Sequence, residues 1–221
     1  MNGNLPLILA SNSPRRRELL ALGGWGFETR PADVDETPLV GEAPQDYVQR
    51  LAVEKARAVG EMLEEDSLVV AADTTVALDG RIMGKPSDAA EAHVMLTALR
   101  GRSHQVYSGV ALLRSSDGEI QVDLASSEVP MRDYSDAEIE TYIESGDPFD
   151  KAGAYAIQNQ SFAPVEGFGG CFANVMGLPL CHLVRNLQKW GLAFSAEIPA
   201  ACQAHLGYDC PVYNEVLIWE Q

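Results

Sequence analysis

The sequence predicts an α/β fold: a mixed, partly antiparallel central sheet with flanking helices, in two lobes around a cleft. Three observations carry this. Leu7 to Ala10 and Leu68 to Ala72 are short unbroken apolar runs, the pattern of strands buried on both faces. Stretches with the helical apolar period alternate with them. Val106 to Leu113 and Ile120 to Val129 read as two longer strands joined by a turn at Ser115 to Gly118, and such a pair is antiparallel. At 221 residues the chain is long enough to bury a full core.

In chain order, the first strand feeds a polar turn, Ser11-Asn12, and then a helix. Ser13 fits its N-cap and Pro14 its first position, where a missing N–H costs nothing. That helix carries Leu19, Leu20 and Leu22 and stops at Gly23-Gly24. Its N-terminus presents unpaired N–H groups and partial positive charge, which suits a phosphate, and Arg15, Arg16 and Arg17 follow at once. The same arginines also fit a solvated helix surface. Phe27 to Pro31 reads as extended. Asp33-Val34-Asp35-Glu36-Thr37 is an acidic run, either a solvated loop or a cation site.

Pro44 opens a helix expected to reach about Glu65, with Tyr47, Val48, Leu51, Ala52, Val59, Met62 and Leu63 as its apolar face. Lys55 falls inside that stripe, so it either snorkels to the edge or points inward at an anion. The second buried strand is expected to end at Asp73-Thr74, the strand end where open α/β sheets place their chemistry. Asp79-Gly80 marks a tight hairpin between Thr75–Leu78 and Arg81–Met83, returning the chain to Gly84-Lys85-Pro86. Ser87 is expected to cap a helix bearing Ala92, Met95, Leu96 and Leu99, and Ser135 to Glu138 is a capping box. Asp147 to Gln158 reads as a charged turn, a small-residue patch and an apolar strand ending in an amide. Pro179 starts the last clear helix, and beyond Gly191 the periodicity is lost.

Composition narrows the function. The formal net charge is −16, with 32 acidic against 16 basic residues, which argues against a nucleic acid polymer as partner. Lys55, Lys85 and Lys151, three of only four lysines, fall in the stretches singled out above, so a small phosphorylated ligand is compatible. No apolar run crosses a membrane, no charged-then-apolar leader begins the chain, and four cysteines without close pairing suit the reducing cytoplasm. His93, His104, His182 and His205 are scattered without metal-ligand spacing, and no Gly-rich phosphate loop or dinucleotide fingerprint is present.

Four stretches together carry a resemblance: Ala10-Ser11-Asn12-Ser13-Pro14-Arg15-Arg16; Ala72-Asp73-Thr74 with Gly84-Lys85-Pro86; Asp150-Lys151-Ala152-Gly153-Ala154-Tyr155-Ala156-Ile157-Gln158; and Gly177-Leu178-Pro179-Leu180. In this order they resemble the Maf family, septum-formation-inhibitor-like proteins, over roughly residues 5 to 190. Residues 1–191 then read as a Maf-like nucleotide pyrophosphatase domain and 192–221 as a C-terminal appendage. The resemblance implies a Maf/ITPase-like fold and a nucleoside triphosphate pyrophosphatase, a hydrolase leaving monophosphate and pyrophosphate with the help of a divalent cation, Mg²⁺ or Mn²⁺. It implies Asp73 as proton acceptor. Asp35 and Glu36 are candidate metal ligands. Ser13, Arg16, Lys55 and Lys85 are candidate phosphate contacts, and Arg15, Thr74 and Gln158 match substrate-selecting positions.

Arg15 and Gln158 resemble the dTTP/UTP branch of the family, whereas Trp and Glu mark a branch that prefers 7-methyl-GTP. An amide offers both the donor and the acceptor that uracil or thymine requires. Nucleoside triphosphates are the expected partners, with a homodimer compatible. The alternative is a nucleotide-binding regulator of cell division with little turnover.

Overall fold

The computed structural model describes residues 5–192 and 197–218. The order is β1 (Leu7–Leu9), α1 (Pro14–Ala21), β2 (Phe27–Thr29), α2 (Pro44–Gly60), β3 (Leu68–Leu78), β4 (Arg81–Met83), α3 (Ala89–Leu99), β5 (Ser103–Arg114), β6 (Ile120–Pro130), α4 (Asp136–Glu144), α5 (Phe172–Met176), α6 (Leu180–Lys189), α7 (Ile198–Leu206) and α8 (Tyr213–Leu217). The sheet order is β2-β1-β3-β5-β6, with β4 also on β3. β1 pairs in parallel with β2 and β3, and all other pairings are antiparallel, so the sheet is mixed as expected.

Side-chain alternation along β3 sorts the core. Val69 and Ala71 face α2 and meet Ala52, Ala56 and Val59. Val70 and Ala72 face the other way, onto Leu19, Leu20, Leu180 and Leu183 of α1 and α6. Further along, Val76 joins a second cluster with Leu96, Leu99, Ile139 and Tyr142 of α3 and α4. The long strands β3, β5 and β6 run through both halves, and the cleft opens between them.

Several boundaries differ from the expectation. Asp73-Thr74 lies in the middle of β3, not at its end, because the pairing with β5 continues from Leu68 to Ala77. Its other edge forks instead: β1 pairs only up to Val70 and β4 only from Val76, which leaves Asp73 to Thr75 open to the cleft. α2 ends at Gly60 rather than Glu65, where Glu61, Glu64, Glu65 and Asp66 oppose the negative end of the helix dipole. The cap of α3 is Asp88, whose carboxylate accepts from the Glu91 N–H at 2.8 Å, while Ser87 binds the Glu91 carboxylate. Residues 155–158 form no strand: Gly153 and Ala154 take positive φ (69° and 60°) and turn the chain away from any partner strand.

Pro179 is the N-cap of α6 rather than its first residue, two further helices follow it, and three other local signals hold. Ser13 accepts from the Arg16 N–H, Asp79 and Gly80 both take positive φ in a primed hairpin turn, and the Ser135–Glu138 capping box is complete. Among the described residues, no helix is long and apolar enough to cross a membrane. The four cysteines are free and line one small apolar pocket where α7 meets α5 and α6.

Candidate active site

The cleft encloses about 690 Å³ between the β1–α1 turn, the open stretch of β3, the β4–α3 connection and the 150–158 segment. Alternation along β3 divides its chemistry between two walls. Asp73 points to the α2 side and accepts from Lys55 Nζ at 2.7 Å. Lys55 also meets Glu36 at 2.6 Å, so the buried lysine bridges two carboxylates instead of snorkelling. Thr74 points to the opposite side, shares a hydrogen bond with Ser108 at 2.7 Å and accepts from Arg16 Nη2 at 3.3 Å. Arg16 Nε donates to the Gly177 carbonyl at 2.9 Å, which ties α1 to the end of α5.

Electrostatics follow from this placement. Burial pushes the Asp73 carboxyl above its ordinary range, against the opposing charges of Lys55 and Arg16. Burial also raises Glu36, but the Lys55 hydrogen bond and the charges of Lys55, Lys85 and Arg16 outweigh it and hold Glu36 low. Burial pulls the Arg16 guanidinium down while the Asp73 charge supports it. The site therefore juxtaposes a carboxylate made more basic by its surroundings with several cations.

The other expected residues are distributed as follows. Ser13, Arg15, Lys85 and Gln158 all line the cleft. Arg15 Nη1 donates to Asp150 at 3.2 Å, and Lys85 and Gln158 are exposed. Asp35 does not join them. It lies outside the cleft lining, and hydrogen bonds from the Thr37 side chain and from the Thr37 N–H, the latter at 2.9 Å, hold its pKa low. Glu36, in contrast, lines the cleft and shares Lys55 with Asp73. Among the described residues, no group of three or more His, Cys, Asp or Glu side chains gathers in a metal-holding arrangement.

Residues 6–190 match the family model described as Maf-like protein. The chain belongs to the Maf family. It is 46% identical over 185 residues to a dTTP/UTP pyrophosphatase of Pelotomaculum thermopropionicum, covering 84% of this chain and 96% of that one. It is 50% identical over 186 residues to the dTTP/UTP pyrophosphatase of Myxococcus xanthus, covering 84% and 93%. It is 49% identical over 198 residues to that of Methylococcus capsulatus, covering 90% and 97%. Among solved structures, a nucleoside-triphosphatase/dITP/XTP pyrophosphatase from Mycobacterium abscessus overlaps with a TM-score of 0.38 at 22% identity, covering 57% of this chain and 74% of that one.

Within the Maf fold, sequence reasoning missed two cleft residues. Tyr47 lines the cleft and donates from its hydroxyl to the Glu36 carbonyl at 2.9 Å, with its own pKa pushed up to about 12 by burial and by the Asp73 and Glu36 charges. Its signal was its place on the same helical stripe as Lys55, eight residues earlier. Asp150 also lines the cleft and holds Arg15, and no local pattern announces a partner 135 residues away. Two of the four histidines are buried: His104 bonds the Tyr155 hydroxyl at 2.8 Å, and burial pushes His104 and His182 down to about 4.

Proposed function

We propose that this chain is a nucleoside triphosphate pyrophosphatase that cleaves dTTP and UTP between the α- and β-phosphates, leaving the monophosphate and pyrophosphate. The carrying observation is the buried Asp73 carboxylate, raised in pKa and hydrogen-bonded to Lys55, in a cleft also lined by Arg15, Arg16 and Lys85. The names of relatives 46–50% identical, dTTP/UTP pyrophosphatase, support the same reading. Pyrophosphoryl hydrolysis needs a base for the attacking water and positive groups where charge builds on phosphate oxygens. In this reading Asp73 takes the proton from water. Lys55 orients the carboxylate, and Arg16, Lys85 and the Ser13 turn at the α1 N-terminus bind phosphate oxygens.

The donor set fits a divalent cation. Glu36 would hold Mg²⁺ or Mn²⁺ beside the base Asp73, since magnesium takes one or two carboxylates and completes its shell with water and substrate oxygens. When bound, such an ion neutralises charge on the phosphates. Lys55 stands between the two carboxylates and keeps them close without it. The four free thiols support a reducing compartment, the cytoplasm.

Gln158 carries base selection, its amide pairing with the N3–H and a carbonyl of uracil or thymine. The test is a panel of dTTP, UTP, ATP and GTP with Mg²⁺ or Mn²⁺, scoring pyrophosphate against orthophosphate. Pyrophosphate release with dTTP and UTP ahead in kcat/KM is expected, and Gln158→Glu should lower pyrimidine turnover roughly tenfold or more. Orthophosphate release, or purine triphosphates as the better substrates, refutes the assignment.

A further inference from the structure

Behind the base-reading end of the cleft lies a polar network that the proposed chemistry does not use. Lys151 is buried, yet its ammonium spends all three donors on protein: the Asp147 carbonyl at 2.6 Å, Asp147 Oδ1 at 3.0 Å and Asp150 Oδ1 at 2.5 Å. The second Asp147 oxygen accepts from the Tyr142 hydroxyl at 2.7 Å and from Asn159 Nδ2 at 3.1 Å. The Tyr142 hydroxyl in turn accepts the Ala156 N–H at 3.0 Å. Two branches therefore leave one buried lysine. One passes through Asp150 to Arg15 Nη1, at 3.2 Å. The other passes through Asp147 to Ala156 and Asn159, the residues that bracket Ile157 and Gln158.

The segment needs such support. Gly153 and Ala154 both take positive φ, and residues 155–158 have no neighbouring strand to hold their backbone. Burial pushes the Asp147 and Asp150 carboxyls up, but hydrogen bonds from Tyr142 and Lys151 outweigh it and keep both ionised. At its centre the network is rigid, because a link broken at Lys151 or at the Tyr142 hydroxyl leaves a buried polar group unpaired.

We propose that Lys151, Asp147 and Tyr142 form a positioning network that holds Arg15 and Gln158 in fixed relation at the base-reading end of the cleft. None of the three touches the reacting atoms in this arrangement. They act through the two residues assigned to base selection, so the inference rests on the pyrimidine triphosphate reading above. A base contact held loosely loses binding more than chemistry, because phosphate placement over Asp73 depends on the other end of the cleft.

The test is steady-state kinetics with dTTP and UTP on the full chain and two variants. Tyr142→Phe removes the hydroxyl but keeps the ring stacked on Phe162, whose centroid is 4.2 Å away. Asp150→Ala cuts the other branch at a carboxylate exposed enough (63%) to spare the fold. Each is expected to raise KM roughly tenfold while kcat stays within about twofold. Unchanged KM in both folded variants overturns the network, and so does a loss confined to kcat. A wild-type protein that releases no pyrophosphate from either substrate overturns the proposed function itself, and the network's role with it.

Discussion

In the proposed reaction, Asp73 trades stability for chemistry. Its folded pKa is raised, so its contribution to stability is fully present below the unfolded aspartate value and is lost as pH rises through the folded value. At neutral pH the ionised carboxylate is thus a net cost, borne at the position of the proposed base. Asp73→Asn should fold with an unchanged or higher Tm at pH 7, since Lys55 keeps Glu36 at 2.6 Å. Its turnover should fall by roughly 10² to 10⁴. The wild-type kcat/KM profile should show an acid limb above the ordinary aspartate range, and the Asn variant should lack it. Calorimetry and a pH–rate series check both, and near-normal turnover in a folded variant excludes Asp73 as the base.

Among the elements, the packing of α2 on β5 decides where Lys55 reaches. Gly109 is the cross-strand neighbour of Asp73, and a Cβ there would stand 2.3 Å from the Val48 carbonyl oxygen, on backbone that cannot swing aside. The absence of a side chain lets α2 approach closely enough for Lys55, two turns beyond Val48, to meet Asp73. Gly109→Ala should cost about 1–3 kcal/mol and lower kcat by displacing Lys55. Gly26→Ala, where a Cβ meets nothing within 4 Å, is the control. Urea titration of the two variants tests this, and equal midpoints would show that α2 has room to move.

For the whole molecule, residues 198–217, beyond the matched stretch, join the core. Ile198 is 1% exposed, and Cys202, Leu206 and Leu217 pack against the same cluster as Leu180 and Leu183. The Tyr208 hydroxyl donates to the Phe168 and Gly170 carbonyls, and Arg185 Nη1 donates to the Val216 carbonyl. These contacts hold α7 and α8 against α6 and the segment leading into α5, and none of them reaches the cleft. Truncation after Leu192 should lower Tm by roughly 5–10 °C, from the lost burial of Ile198 and its neighbours, with KM for dTTP little changed. A thermal melt beside a kinetic assay checks it. An unchanged melt would make the segment dispensable to the core.

Some of this was settled by residues close together in the chain. The α1 cap at Ser13-Pro14, the Asp79-Gly80 hairpin and the Ser135–Glu138 capping box depend on two to four neighbouring residues, and all are found as read. Motif resemblance likewise pointed to Ser13, Arg16, Asp73, Lys85 and Gln158, all of which line the cleft. What local pattern left undecided was direction and partnership: whether Lys55 snorkels or turns inward, where β3 ends, which carboxylate stands beside Glu36, and what supports Gln158. Those answers come from contacts between distant residues. Lys55 meets Asp73 across 18 positions, Arg15 meets Asp150 across 135, and Arg16 meets Gly177 across 161. Periodicity and capping act over one or two turns of chain, whereas a buried charge takes its orientation from whichever opposite charge the fold brings within reach.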